Sequence, residues 1–165
     1  LRDALFALAF ERGWDALSVQ QICARAGVGR STFYVHFADR EDLLLGAFQG
    51  EHIAPAGAVR SRPLGFVRPL VQHVQEHRAL YHVLSGTSCE RAVRRRFLQV
   101  VTELIETDLA SRAAPSPQRT AAVRYLAGAY FETLSFWLEP RNQLSGGEIE
   151  RMLLQFSAPV IAFTR

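Results

Sequence analysis

Gly27-Val28-Gly29-Arg30-Ser31-Thr32-Phe33-Tyr34-Val35-His36-Phe37 is the stretch whose reading decides the fold of this chain. A glycine turn leads into about two turns of helix. Phe33 and Phe37 stand four apart, so they share the buried side of that helix. The opposite side presents Ser31, Thr32 and Val35, which are small enough to let the helix approach base edges in a DNA groove. The hydroxyls of Ser31 and Thr32 suit bases or phosphates, and Val35 suits a thymine methyl. Tyr34 and His36 flank that face, where a phenol and an imidazole fit phosphate oxygens. Arg30, in the first turn, has the reach for a guanine or a phosphate.

The flanking residues agree. Ser18 and Gln21 have the spacing of a capping box, which opens a helix running to Ala26 and stopping at Gly27. Two helices joined by Gly27-Val28-Gly29 cross steeply, the geometry of a helix-turn-helix. Ser18 and Gln20 sit where open backbone N–H groups favour a phosphate. Asp39 is a good N-cap for the next helix, Glu41 and Asp42 favour its dipole, and Arg40 stands where it could hold a further phosphate. A helical hairpin whose polar residues are merely solvated is the alternative for this segment.

The rest of the chain also reads as helices, with no alternating strand-like runs. The first covers Leu1 to about Arg12 and stops at Gly13. The helix after Asp39 fades between Gly50 and Pro55, and Ala54 to Pro63 reads as a connector. Leu64 to Glu76 follows, with Pro69 either kinking it or marking its real start. Arg78 to Leu84 comes next. Thr87 with Glu90 has capping-box spacing and opens a long helix to about Arg112. Ser116-Pro117 starts a helix to Leu138. Ser145 with Glu148 caps the last helix, with a possible bend at Pro159. The expectation is an all-α protein of about nine helices. Residues 1–48 form a three-helix DNA-binding domain, and residues 49–165 form a larger helical domain for effector binding and dimerisation.

Bulk properties narrow the classes. The 165 residues are 48% hydrophobic and 21% charged, as in soluble globular proteins. No apolar run is long enough for a membrane span and no signal-peptide pattern opens the chain. Cys23 and Cys89 are far apart, which excludes a disulfide framework and makes a reducing cytoplasm the expected compartment. All nineteen basic residues are Arg, the better residue for forking onto phosphate and guanine. Their distribution is uneven: residues 1–50 carry five Arg against six acids, whereas residues 51–100 carry eight against three. A DNA-reading segment near neutrality counts against the reading. Leu1 already lies in an apolar helical pattern without a cap, so an earlier start, with a basic arm, is expected.

The larger domain is rich in aromatic and large apolar residues. Phe66, Leu70, His73, Tyr81, Phe97, Val101, Tyr125, Phe131, Leu134 and Trp137 are candidates to line a pocket for a flat or greasy effector, with ordinary core as the alternative. His73 and His77 share a helical face, with His82 soon after. Two His at that spacing could hold a metal, but no further ligand stands at a convincing distance, so no metal or cofactor is expected. Arg91, Arg94, Arg95 and Arg96 form a cluster that is either a solvated face or a clamp for an anion. Ala122 and Ala129, with Met152, Leu153, Phe156 and Val160, suit a four-helix interface between two copies of the chain. No nucleophile–base–acid set and no phosphate-cradling glycine loop is present. An enzyme is therefore not expected, and an all-helical small-molecule-binding protein or enzyme is the alternative to a DNA regulator. A constitutive DNA-binding adaptor is a third possibility.

Four stretches carry a family resemblance: Ala-Phe-Glu-Arg-Gly-Trp (9–14), Ser-Val-Gln-Gln-Ile-Cys-Ala-Arg-Ala-Gly-Val (18–28), Ser-Thr-Phe-Tyr-Val-His-Phe (31–37) and Arg-Glu-Asp-Leu-Leu (40–44). Over about the first 48 residues the chain resembles the TetR family of bacterial transcriptional regulators. The resemblance implies a homodimer on a palindromic double-stranded operator and release by a small molecule, most often from a repressing state. It also places Ser18, Gln20, Arg30, Ser31, Thr32, Tyr34, Val35, His36 and Arg40 at DNA-contacting positions. Arg40 departs from the Lys that many members carry there.

Overall fold

In the computed structural model four helices begin where a short polar side chain, Ser18, Asp39, Ser116 or Ser145, satisfies a first-turn N–H. The structure describes residues 1–46, 63–110 and 114–164, and among them it is all-helical, with nine α-helices and no strand. The expected connector from Ala54 to residue 62, the fading end of the fourth helix and the stop near Arg112 lie outside the described residues.

Helix α1 spans Arg2–Arg12 and buries Ala4, Leu5, Leu8 and Ala9 on one face. A single 3-10 turn, Trp14–Ala16, seals Trp14 beneath it. In α2, Val19–Ala26, the capping box is complete: Ser18 Oγ accepts from Gln21 N–H, and Gln21 Oε1 accepts from Ser18 N–H. Gly27 ends α2 with φ 66° and ψ 28°, the left-handed region that costs other residues strain. Helix α3 spans Arg30–His36. Phe37 is not its last residue but an extended cap that directs the chain towards α4, Arg40–Leu45. Asp39 caps α4 by accepting from Asp42 N–H at 2.8 Å.

Helix α5, Val67–Glu76, starts later than Leu64, with Pro69 in its first turn, where a missing N–H costs nothing. Helix α6 is Arg78–Leu84 and α7 is Glu90–Ala110. The capping box expected of Thr87 and Glu90 does not form. Thr87 Oγ1 donates backwards to the Leu84 carbonyl at 2.6 Å, and Glu90 Oε2 accepts from Gly86 N–H at 2.7 Å. Both side chains thus close α6 and its turn, while Val93 N–H bonds the Cys89 carbonyl to start α7. Helix α8, Pro117–Leu138, is capped by Ser116 with proline at its first position. Helix α9, Gly146–Phe163, opens with a full Ser145–Glu148 capping box and carries Pro159 inside it.

The chain forms two units. The first consists of Leu1–Gln49 together with Arg78–Arg96. Its core joins Leu5, Leu8, Trp14, Ile22, Phe33, Leu43 and Leu44 to Leu80, Leu84 and Cys89. This departs from a boundary at residue 48, which left the later segment wholly in the larger domain. The apolar faces of α6 and the following turn complete the core that α1 to α4 leave open. Two bonds reinforce the junction: Ser88 N–H and Oγ–H both donate to Asp15 Oδ1, at 3.2 and 2.5 Å.

The second unit comprises Gly50–His77 and Phe97–Arg165. Helix α9 packs against α8 and α5. Its first residue approaches α5 so closely that a Cβ on Gly146 would fall 2.6 Å from Gln75 Oε1. Phe66, Leu70, Val101, Ile105, Tyr130, Leu134, Trp137, Ile149 and Leu153 are among its buried residues.

Candidate nucleic-acid interface

Helix α3 is anchored by one residue. Phe33 is fully buried, its ring meeting Tyr34 edge-on at 5.3 Å and Phe37 at 5.6 Å. Phe37 is half-buried. With that side fixed, Arg30, Ser31, Thr32, Tyr34, Val35 and His36 are all exposed. Val35 is 77% exposed and Tyr34 51%. Val35 and Tyr34 thus stand in solvent on the side of α3 that the unit's own core does not use.

The start of α2 offers a second contact point. Ser18 and Gln20 are exposed there. The capping box uses the Ser18 and Gln21 N–H groups, so the N–H groups of Val19 and Gln20 remain as donors at the positive end of the helix. A forked ion pair at the surface, Arg25 to Glu11 at 2.6 and 3.2 Å, links α2 to α1. The Arg25 hydrogen bonds hold the Glu11 carboxyl below its usual range.

Arg40 differs from the other eight expected contacts. Its guanidinium is half-buried, lies 4.8 Å over the Trp14 ring and donates through Nη1 to the carbonyls of Trp14 and Leu17, at 2.7 and 2.5 Å. Through Nη1 Arg40 ties down the backbone just before Ser18, bonds the sequence did not signal because both acceptors are main-chain atoms.

In the second unit Phe66, Leu70, His73, Val101, Leu134 and Trp137 are buried, and Phe97 and Phe131 are half-buried with rings edge-on at 5.5 Å. Two other candidates do not join them. Tyr81 lies in the first unit, packed against its core, and Tyr125 is 64% exposed on α8. Trp137 uses its Nε1–H on the Leu144 carbonyl, tying the turn between α8 and α9. The His73 and His77 rings stack 4.4 Å apart, and among the described residues no group of three His, Cys, Asp or Glu could hold a metal.

A buried polar cluster escaped the sequence reading. Ser157 Oγ donates to the Leu153 carbonyl at 2.6 Å, which leaves the Tyr130 hydroxyl to donate to Ser157 at 2.9 Å. Burial pushes the Tyr130 hydroxyl well above its usual range; the Ser157 bond opposes this and the buried Asp108 carboxylate adds to it. The signal was available in spacing: Asp108 follows Val101 and Ile105, and Ser157 stands midway between Leu153 and Ile161, all on buried faces.

The expected dimer residues also divide. Ala122 and Leu153 are buried inside the unit, whereas Ala129, Met152 and Val160 are half-buried and Phe156 is 57% exposed. The outward stripes are Tyr125, Ala129 and Phe136 on α8, and Met152, Phe156 and Phe163 on α9. Apolar residues surround α8, so spacing alone does not tell its buried side from its open one.

Comparison with known proteins agrees with this geometry. Residues 1–47 match the model of the bacterial regulatory proteins of the tetR family. Among solved structures, the dihydroxyacetone kinase operon activator DhaS is similar at 18% identity and a TM-score of 0.73, covering 99% of this chain and 96% of that one. A putative TetR-family transcriptional regulator from Syntrophomonas wolfei is 20% identical with a TM-score of 0.63, covering 98% and 92%. A TetR transcriptional regulator from a Rhodococcus species is 18% identical with a TM-score of 0.60, again covering 98% and 92%. The first 47 residues thus match the tetR family of bacterial regulatory proteins over their helix-turn-helix, and the chain as a whole has the fold of the TetR-family regulators it resembles.

Proposed function

We propose that the protein is a homodimeric, operator-binding transcriptional repressor, acting in the cytoplasm and released from DNA by a small molecule bound in its second unit. One observation carries the DNA-binding part. A single buried phenylalanine, Phe33, fixes a short helix whose remaining side chains, Ser31, Thr32 and Val35 above all, stand in solvent. Tyr34, His36 and Arg30 on α3, and Ser18 and Gln20 on α2, then hold the backbone on either side of the bases. The chemistry asked of the protein is recognition, not turnover.

Paired half-sites require paired reading helices. The outward stripes of α8 and α9 supply an apolar surface for a second copy, and Tyr125, Phe136, Phe156 and Phe163 are its large side chains. The effector is assigned to the second unit, with Phe66 and Leu134 as apolar lining and the Asp108–Tyr130–Ser157 cluster as the polar end. Release is a population shift: an effector that binds better to a dimer with wrongly spaced reading helices lowers operator affinity by the same factor that DNA lowers effector affinity.

Selection of bound duplexes from a random pool tests the reading. A palindromic site should emerge, its binding should weaken steeply with salt, and a reporter downstream of it should be silenced. Failure to enrich any duplex would remove the DNA-binding assignment. Increased reporter expression would reverse the sign, as in a similar structure whose name describes an operon activator.

A further inference from the structure

We infer that Arg91 and Arg95, at the start of α7, form a second DNA-backbone site on the first unit, outside the helix-turn-helix. The inference rests on the DNA-binding reading above and deepens it. Leu1–Gln49 alone carries five Arg against six acids, too nearly neutral for a surface that must attract a polyanion. The unit as folded also contains Arg78–Arg96, which brings five more Arg and only Glu90. The total becomes ten Arg against seven acids, a net +3. The missing positive charge is thus supplied from a distant part of the chain.

Position and exposure single out two of these residues. Arg91 and Arg95 are exposed, share one helix face and pair with no carboxylate among the described residues. Arg91 lies three residues after Ser88, which is fastened to Asp15, and Asp15 lies three residues before Ser18 at the phosphate end of α2.

Stability does not explain them. Cations at a helix N-terminus oppose the macrodipole, and like charges four apart repel. The first two turns of α7 nevertheless carry Arg91, Arg94, Arg95 and Arg96. A merely solvated face would be better served by Glu or Gln at these positions. A sequence that keeps guanidinium groups there gives up helix stability for an anion, and the anion within reach of this unit is the phosphate backbone.

The test needs no knowledge of the operator. Binding of a short mixed-sequence duplex is measured by fluorescence anisotropy over a range of salt for the full chain, for R91E/R95E, and for R68E/R141E, which makes the same charge change in the second unit. The R91E/R95E variant should bind at least about tenfold more weakly, with a log–log salt slope shallower by about 0.9 for each phosphate contact removed. It should melt at the same or a higher temperature, because two acids now face the helix dipole favourably. The R68E/R141E protein should keep the wild-type slope. An unchanged slope in R91E/R95E, whether or not affinity falls, overturns the inference while leaving the helix-turn-helix reading intact. A wild-type chain that ignores duplex DNA at low salt overturns both.

Discussion

Phe33 and Val35, two residues apart on α3, separate folding from function at the scale of single side chains. Phe33 is fully buried, and Phe33→Ala should cost about 3 to 5 kcal/mol, in line with other buried aromatic truncations. Val35 is 77% exposed, so Val35→Ala should leave stability within about 0.5 kcal/mol of wild type while relaxing base preference at one operator position. Tyr34→Ala should likewise weaken operator binding without unfolding the chain. Denaturant midpoints and operator dissociation constants, measured on the same three preparations, check the separation. An operator affinity for Tyr34→Ala equal to wild type would count against the whole face. The identities of these residues were legible because α3 is short and Phe33, with Phe37 just beyond its end, marks one side. Arg40 was not, since its partners are the Trp14 and Leu17 carbonyls, which any residue type would supply.

Helix starts were legible wherever a short polar residue stands directly before the first turn. Ser18, Asp39, Ser116 and Ser145 all accept from the N–H three residues on, as their spacing required. Thr87 failed because α7 starts at Glu90, which leaves Thr87 in the preceding turn with its hydroxyl donating to the Leu84 carbonyl. The fastening of the α6–α7 turn to Asp15 was invisible for another reason: the two partners are far apart in sequence, and no local pattern links them. Its consequence is measurable. The Ser88 hydroxyl, then the Ser88 N–H, hold the Asp15 carboxyl below its usual value of 3.8, with Arg40 nearby adding to the effect. A carboxyl depressed on folding contributes stability above its unfolded value and loses it as pH falls through the lower folded one. Wild type should therefore lose more thermal stability between neutral pH and pH values below 3.8 than Ser88→Ala, in which the depression is largely removed. Parallel melting curves against pH for the two proteins would expose an idle contact.

Assembly is where periodicity says least. Nothing in residues 78–96 signals which core their apolar face completes, because Leu80 and Leu84 have the same spacing as any buried helical pair. The same blindness moved the expected dimer residues, with Ala122 and Leu153 turned inward and Tyr125, Phe136 and Phe163 outward. The open stripes matter more than the original choice, since burying large exposed side chains stabilises association by about 25 cal/mol for each Å² of apolar surface removed from water. A charge placed there would have to be desolvated, or the interface would have to part. Phe156→Arg together with Tyr125→Glu should leave each chain folded, because both side chains already lie in solvent, yet shift the protein to a monomer in sedimentation equilibrium. Operator affinity should fall with it, since a monomer loses the effective concentration that joins two half-sites and is worth a factor of about 100 or more. A variant that stays dimeric and binds the operator as wild type does would show that the second copy docks elsewhere. A variant that becomes monomeric without losing affinity would show that one reading helix is enough.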